Sequence, residues 1–215
     1  MFDSRTSTAL ALCALLVTSG CLGANGGQLT FSSSPTTVEE TVLSETGYEL
    51  TKNRTFHRQQ NVTAAGQTVT VNVTNHQRQY DHTIDLGMFG EKRFATFVVL
   101  TTPAVDVAGQ TLNPVGDWSN RRLVRELIQQ YKGVSNVEHV TNRTVRSLGE
   151  DRTVNKFEAD SSFEGIDMTV FVHVTSFKHG DDYVIAVAIH PKQIESEQDR
   201  VDKLLRGLNH NATAA

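Results

Sequence analysis

The sequence has 215 residues, of which 38% are hydrophobic, and its 20 basic and 24 acidic residues leave a net charge of -4. This length suits one domain with a well-buried core. The charge is mild and forms no basic block, which excludes a nucleic-acid partner on electrostatic grounds. Both cysteines, Cys13 and Cys21, precede the predicted domain, so a disulfide within the domain is excluded.

The first 21 residues predict an export signal followed by a lipid anchor. Residues 1–8 are polar, residues 9–17 are apolar, and Thr18, Ser19 and Gly20 are small side chains before Cys21. The apolar run is about half the roughly 20 residues that a membrane-spanning helix needs, so we interpret residues 1–20 as a signal peptide. The pattern resembles the lipobox of prokaryotic lipoproteins, whose cysteine carries a lipid. Ordinary secretion with an incidental cysteine is the alternative.

Four segments follow from this interpretation. We expect residues 1–20 to be the signal peptide, 21–35 a lipidated cysteine with a flexible tether, 36–210 one α+β domain, and 211–215 a disordered tail. A lipid on Cys21 would hold the domain at the outer face of the cytoplasmic membrane, because no later segment is apolar enough to span. Asn-x-Ser/Thr sequons, which are compatible with export, occur at Asn53, Asn61, Asn72, Asn142 and Asn211.

In chain order, the pattern first predicts a short helix over residues 37–43, which Gly47 ends. Alternating residues then predict a hairpin from residues 48–62 and 67–75, with a break between residues 75 and 79 where the parity changes. Residues 93–101 predict a strand that is covered on both faces. A loop at residues 113–118, rich in Gly and Pro, precedes a helix whose stripe runs from Leu123 to Tyr131.

The second half predicts an antiparallel meander of strands at residues 153–163, 166–177 and 182–190, followed by a helix from about residue 195 to 209. The last two strands carry apolar residues at both parities, which favours central positions in the sheet. Ser119 is the predicted N-cap of the earlier helix, whose stripe begins at Leu123. An α+β fold, with an antiparallel β-sheet flanked by helices on both faces, satisfies these patterns.

Parts of the sequence resemble two protein families. The segment DDYVIAVAIHP at residues 181–191, with LLRGL at residues 204–208, resembles the last strand and helix of PsbP-like domains and implies their α/β/α sandwich. The segments SETGY (44–48), VLTTP (99–103), NPVGD (113–117) and GDDY (180–183) resemble a haloarchaeal family of lipoproteins of unknown function. The second resemblance implies an archaeal, membrane-anchored protein.

Histidines are the residues that most invite a chemical hypothesis. His76 and His82 on one strand would lie about 20 Å apart at roughly 3.3 Å per residue, too far to hold one ion, so we expect no metal and no cofactor. His173 and His190 each interrupt an apolar strand, and with Trp118 they are the predicted pocket residues. The alternative is that these histidines are hydrogen-bonded structural residues without a role in binding or catalysis.

No nucleophile elbow, phosphate-binding loop or metalloprotease motif is present. We therefore expect a non-catalytic extracellular lipoprotein whose domain binds a protein or small ligand, or belongs to the cell envelope. The alternative is an extracellular hydrolase that uses a strand histidine. Arg121, Arg122 and Arg125 form a basic helix side that could meet anionic headgroups, although an ordinary solvated helix face is the favoured interpretation. The 113–118 loop is the other candidate surface.

Overall fold

The computed structural model describes residues 28–64, 67–85, 90–107, 110–128, 134–163 and 166–211. The predicted signal peptide, Cys21 and residues 212–215 lie outside this part of the chain. The described strands are β1 (Gln28–Ser32), β2 (Thr36–Val38), β3 (Tyr48–Ala64), β4 (Gln67–Asp85), β5 (Glu91–Pro103), β6 (Asp106–Val107), β7 (Gln110–Thr111), β8 (Val134–Ser147), β9 (Glu150–Phe163), β10 (Ile166–His179), β11 (Asp182–Pro191) and β12 (Leu208–His210). The described α-helices are α1 (Glu40–Thr46), α2 (Asn120–Ile128) and α3 (Ser196–Arg206), and Pro114–Asp117 forms a short 3-10 turn.

One eight-stranded sheet forms the centre of the fold. Its order is β1-β4-β5-β11-β10-β9-β8. β1 and β5 pair with different parts of one edge of β4, and β3 pairs with the opposite edge. All of these pairings are antiparallel except the parallel one between β1 and β4. The predicted hairpin, the meander of β9, β10 and β11, and the central positions of β10 and β11 are confirmed.

The β3–β4 hairpin extends beyond the rest of the sheet, and we call its outer half, residues 52–76, the arm. β5 pairs with β4 only from His76 to Asp85, whereas β3 follows β4 along nearly its whole length. On the arm, β1 takes the place of β5 and pairs with Thr70 to Thr74 of β4. The predicted flexible tether is therefore wrong for residues 28–32, because their backbone completes the β4 ladder.

The core has two main parts, one on each face of the sheet. α1 and α3 pack on one face, where Leu43, Val201 and Leu204 meet Phe97 and Ala186. On the other face α2 places its apolar stripe on the sheet. There Leu123 and Val124 contact a cluster that includes Phe157, Val172 and Val174. We call these the α3 face and the α2 face.

The predicted α/β/α sandwich is wrong. Strands contain 68% of the described residues and helices 18%, so the chain is mostly β, with a mixed sheet and few helices. α1 has 7 residues and the described part of α2 has 9, which is too little to form a continuous helical layer. The α+β expectation overestimated the helical share because it missed strands that have no apolar pattern.

β8 is the clearest of these missed strands. Its residues are mostly exposed and polar, because it is the edge strand of the sheet, so no alternation of apolar side chains marks it. The predicted break at residues 75–79 is also displaced. β4 runs through that segment without interruption, and the register shifts instead at Leu50/Lys52 on β3 and at His82/Thr83 on β4.

Two predicted helix caps, the C-terminal stop at Gly47 and the N-cap at Ser119, are confirmed, although α1 begins at Glu40 rather than at residue 37. Gly47 ends α1 in the left-handed region with φ of 73°, and its N–H donates to the carbonyl of Leu43 at 2.9 Å. Ser119 precedes α2, and its Oγ accepts from the N–H of Arg122 at 3.3 Å. The last predicted helix is shorter than expected, because Leu208–His210 leaves α3 to pair with β2 as β12.

The contact between the end of α3 and α1 generates a stability prediction. A Cβ added at Gly207 would lie 2.7 Å from Cγ2 of Val42, so Gly207→Ala should lower the free energy of unfolding by about 1–3 kcal/mol through overpacking. Urea unfolding measures the change. In a Val42→Ala background the same glycine substitution should cost less, and equal costs in both backgrounds would show that the Val42 contact is not the cause.

Candidate functional site

The two strand histidines predicted as pocket residues lie together on the α3 face. His173 on β10 pairs with Ala188 on β11, two residues from His190, so both side chains project to the same face. Their Nε2 atoms are 2.9 Å apart, and the ring planes are within 11° of parallel. Each residue is 1% exposed. The structure thus brings together two residues that are 17 positions apart in the chain.

The neighbours of this pair determine which ring nitrogens carry protons. Arg143 can only donate, so its contact of 2.8 Å makes Nδ1 of His173 an acceptor and places the proton on Nε2. Nδ1 of His190 lies 2.9 Å from the carbonyl of Pro191, which can only accept, so His190 carries its proton on Nδ1. Nε2–H of His173 therefore donates to Nε2 of His190. Arg143 is in turn held by Asp202, at 2.8 Å from Nε and 2.5 Å from Nη2.

Burial and nearby cations keep this pair neutral. Burial, Arg143, His190 and Lys156 together lower the pKa of His173 to about 2. Burial is also the main cause that lowers the pKa of His190. All four ring nitrogens have hydrogen-bond partners, so neither imidazole has a free nitrogen with which to take a proton from a substrate.

Trp118, the third predicted pocket residue, does not join the histidines. It packs against the cluster beneath α2, on the opposite face of the sheet. The guanidinium of Arg122 lies 4.9 Å from its ring, so one of the three predicted basic residues of α2 stacks on Trp118. Arg121, Arg122 and Arg125 are all exposed. Of the three predicted pocket residues, the structure therefore brings together the two histidines and not Trp118.

A cleft of about 440 Å³ lies outside the histidine pair, at the start of α3. Lys156 and Phe171 form one side, with Nζ of Lys156 3.7 Å from the centre of the ring. Glu195 and Asp199 form the other side and bring negative charge to the start of the helix. Nζ of Lys156 also donates to Gln198 at 3.0 Å, so the cation is already engaged.

A buried glutamate on the same face was not predicted from the sequence. Glu197 on α3 is 0% exposed and accepts from the hydroxyl of Tyr48 at 2.8 Å and from Arg200. Nδ1 of His82 lies 3.3 Å from Oε1 of Glu197. Burial first, and then Glu197, raise the pKa of Tyr48. These residues join α3 to β3 and β4, and their long separation in the chain leaves no sequence signal.

A second unpredicted cluster joins the two ends of the described chain. Asp182 accepts at Oδ2 from the N–H of Ser34 at 2.8 Å and from Nε2 of His210 at 3.0 Å. Nδ1 of His210 is 2.9 Å from Nδ1 of His179, so one proton lies between the two rings, because two lone pairs repel at that distance. Burial lowers the pKa of His179. The cluster fastens the β1–β2 connection and β12 to the start of β11.

The remaining histidines do not form a metal centre. His82 lies beside Glu197, whereas Nδ1 of His76 is 3.1 Å from Oγ1 of Thr55 on the arm. Within the described ranges, no group of three or more His, Cys, Asp or Glu side chains is arranged to hold a metal ion. The same part of the chain has no helix that combines the length and apolarity needed to cross a bilayer.

The opening with the features of a binding site is a groove on the α2 face, between the arm and residues 102–114. Its volume is about 340 Å³. Val71, Val73 and Asn75 of β4 form the floor and residues 58–60 of β3 form one wall. The other wall consists of Thr102, Pro103, Val105, Leu112, Asn113 and Pro114. We call this opening the arm groove.

The far wall of the arm groove includes the start of the loop that the sequence analysis identified as a candidate surface. Asn113 is buried, and its Nδ2 donates to Oγ1 of Thr102 at 3.0 Å and to the carbonyl of Pro103 at 2.7 Å. Its Oδ1 accepts from the N–H of Val115 at 3.1 Å. One side chain therefore fastens the loop to the end of β5, so this wall is preorganised.

Asn75, in contrast, has no such partners. Only 5% of the residue is exposed, and no hydrogen bond joins its carboxamide to a described residue. Neither atom of the carboxamide is among the fully buried side-chain atoms that lack a partner, so both remain open to the groove. Asn75 lines the groove, so a ligand in the groove would be able to supply the missing hydrogen bond.

Three of the five sequons lie on the arm, on the face opposite the groove. Asn53 and Asn61 are exposed and Asn72 is half-buried. The strand register places all three side chains on one side of the hairpin. Asn142 on β8 and Asn211 after β12 are also exposed. Glycosylation of any of these residues stays a prediction.

Comparison with known proteins identifies the family. The model of a domain of unknown function, DUF6517, matches residues 35–209, so the chain belongs to that family. No curated protein matches the sequence. The solved structures that match include the solution structure of cyanobacterial PsbP (CyanoP) from Synechocystis sp. PCC 6803, with 11% sequence identity and a TM-score of 0.37. That match covers 90% of this chain and 99% of the PsbP chain, and the resemblance is a weak structural one.

The neutral histidine pair predicts acid sensitivity. The folded state holds the pKa of His173 and His190 below the unfolded value of about 6.5, so the unfolded state binds more protons once the pH falls below that value. The free energy of unfolding should therefore decrease below pH 6.5, by up to about 1.4 kcal/mol per pH unit for each histidine.

Urea unfolding between about pH 7.5 and 5.5, on either side of the unfolded pKa, measures this dependence. A His173→Gln/His190→Gln variant should show a shallower decline than the unsubstituted chain. The matched control, His57→Gln, removes an exposed histidine of the arm and should keep the original slope. If the double variant declined as steeply as the parent, the pair would not be a source of acid sensitivity.

Proposed function

We propose that this protein is a lipoprotein held at the outer face of the cytoplasmic membrane by a lipid on Cys21, and that its domain binds a ligand rather than catalysing a reaction. The resemblance to haloarchaeal lipoproteins supports an archaeal source. The lipid anchor is supported by the sequence of the leader, in which small residues precede the cysteine. The binding role rests on the arm groove.

The observation that carries the binding role is the carboxamide of Asn75 on the floor of the groove, which has no hydrogen bond to a described residue and is open to the groove. By comparison, the buried side chains of His173, Glu197 and Asp182 have hydrogen-bond partners within the protein. The groove combines this amide with apolar floor residues, Val71 and Val73, and with a wall fastened by Asn113. Apolar walls with a few convergent polar groups are typical of ligand sites.

The position of the groove fits a protein anchored through Cys21. Seven residue steps separate Cys21 from Gln28, a span of at most about 25 Å in a fully extended chain. Gln28 begins β1 and pairs with Thr70 on the arm. A lipid on Cys21 would therefore keep the arm beside the bilayer, where the ligands to test are those present at the cell surface.

The alternative, an extracellular hydrolase that uses a strand histidine, has less support. Both strand histidines are 1% exposed and every ring nitrogen already has a partner. A catalytic imidazole needs an accessible nitrogen within hydrogen-bond reach of the substrate. The hydrolase hypothesis would require an activity that His173→Ala abolishes while the fold is retained.

Lipidation generates a direct prediction. Cys21→Ser should release the protein from the membrane fraction into the medium or the soluble fraction, because the serine hydroxyl cannot form the thioether. Cell fractionation followed by mass spectrometry of the mature N-terminus measures both effects. Cys13→Ser is the matched control, since Cys13 lies in the predicted leader and its loss should leave the protein in the membrane fraction. Retention of the Cys21→Ser protein at the membrane would contradict the anchor.

The binding role predicts that blocking the groove removes a partner. The mature chain should recover a specific ligand or protein from solubilised membranes of the cells that produce it. Gln60→Trp, which replaces an exposed wall residue by a larger one, should abolish this recovery without unfolding the protein. Arg121→Trp on exposed α2 is the control and should recover the same partner. Equal recovery by the two variants would show that the groove is not the binding site.

A further inference from the structure

A row of cations lies on the face of β3 that contains the arm groove. Lys52, Arg54 and Arg58 have the same parity on β3, with Phe56 between the last two, and the pairing with β4 is regular there, so all three side chains project from the same face. Arg58 lines the groove and is the one ionisable residue among the described lining residues. All three are exposed, and none forms an ion pair with a described residue. This face of the arm is therefore positively charged and uncompensated.

The opposite face of the arm has no comparable charge. There, cross-strand side chains satisfy one another through five consecutive hydrogen bonds of 2.9–3.2 Å, from Thr55–His76 to Thr63–Thr68. Only polar neutral residues and two histidines contribute to this ladder. The contrast between the faces shows that the cations are concentrated beside the groove rather than scattered over an exposed hairpin.

The floor of the groove has the spacing of an extended chain. Val71, Val73 and Asn75 are alternate residues of one strand, so their side chains repeat at about 6.8 Å, twice the rise of an antiparallel strand. An extended peptide repeats its side chains at the same interval. Val71 is 0% exposed, so the apolar residues of the peptide would meet the half-buried Val73 and Leu112, and a backbone amide would lie within reach of Asn75.

We propose that the arm groove binds an extended acidic peptide segment, in which carboxylates pair with Arg58 and Arg54 and apolar side chains pack on the half-buried Val73 and Leu112. The carboxamide of Asn75 bonds to the peptide backbone and so gains the partner it lacks among the described residues. This inference rests on the proposed binding function and names the chemical class of its ligand. Main-chain hydrogen bonds with side-chain pockets at alternate positions are a recurrent mode of peptide recognition.

A peptide fits this site better than a membrane surface does. Asn75 is 95% buried at the bottom of a concave groove, which lipid headgroups in a flat bilayer do not enter. Binding to anionic lipid is therefore an outcome that the experiment distinguishes from peptide binding.

Fluorescence anisotropy with labelled eight-residue peptides tests the proposal. The mature chain in neutral detergent is titrated with peptides of alternating Glu and Val, Gln and Val, or Lys and Val. The Glu peptide should bind most tightly, and its affinity should decrease as salt is raised, because exposed charges are screened. Arg58→Glu should weaken that affinity at least about tenfold, equivalent to about 1.4 kcal/mol. Arg121→Glu, which removes an exposed cation on α2, should change it little.

A charge-reversed row provides the decisive variant. Lys52→Glu/Arg54→Glu/Arg58→Glu substitutes exposed residues only and should prefer the Lys peptide over the Glu peptide. Equal affinity of the unsubstituted chain for all three peptides would overturn the inference. So would groove-dependent binding of the Cys21→Ser chain to phosphatidylglycerol vesicles in the absence of peptide binding. If Gln60→Trp still removed a partner from membrane extracts while acidic peptides failed to bind, the binding function would stand and the peptide assignment would fail.

Discussion

Backbone hydrogen bonding along β4 is the constraint on which the rest of the structure depends. This strand has 19 residues, and β5 satisfies only the half from His76 to Asp85. The remaining edge requires another strand, and residues 28–32 supply it as β1. That pairing positions Leu29 and Phe31 against the small cluster of Val62, Val71 and Val105, which supports the arm groove. The groove therefore exists because a long strand needs a partner on each edge.

The polar groups buried in this fold separate into two kinds. On the α3 face, hydrogen bonds join Asp202, Arg143, His173 and His190 in sequence and end at the carbonyl of Pro191, so every histidine ring nitrogen has a partner. Such a network stabilises the packing of α3 and leaves no group available for chemistry. The carboxamide of Asn75 on the α2 face has no hydrogen bond to a described residue and is open to the groove. Hydrogen bonds within the protein therefore distinguish the histidine network from the floor of the proposed site.

An anchored binding protein of this design would present opposite properties on the two faces of its arm. The groove face has the cations Lys52, Arg54 and Arg58, while the other face has the sequons at Asn53, Asn61 and Asn72. Glycans on that second face would leave the groove accessible. The DUF6517 family model matches residues 35–209, so the arm and the groove walls lie within the matched region.

The sequence by itself determined the hairpin, the meander and the caps at Gly47 and Ser119, because alternation and capping are local signals that a few residues contain. It also placed His173 and His190 on strands. It missed β8, since a polar edge strand has no apolar alternation, and it overestimated the helical layers for the same reason. Only the tertiary structure decided that the two histidines meet, that Trp118 lies on the opposite face, and that Asn75 lacks a partner. Those facts depend on pairing between distant strands, and register over such distances is set by the whole sheet rather than by any short segment.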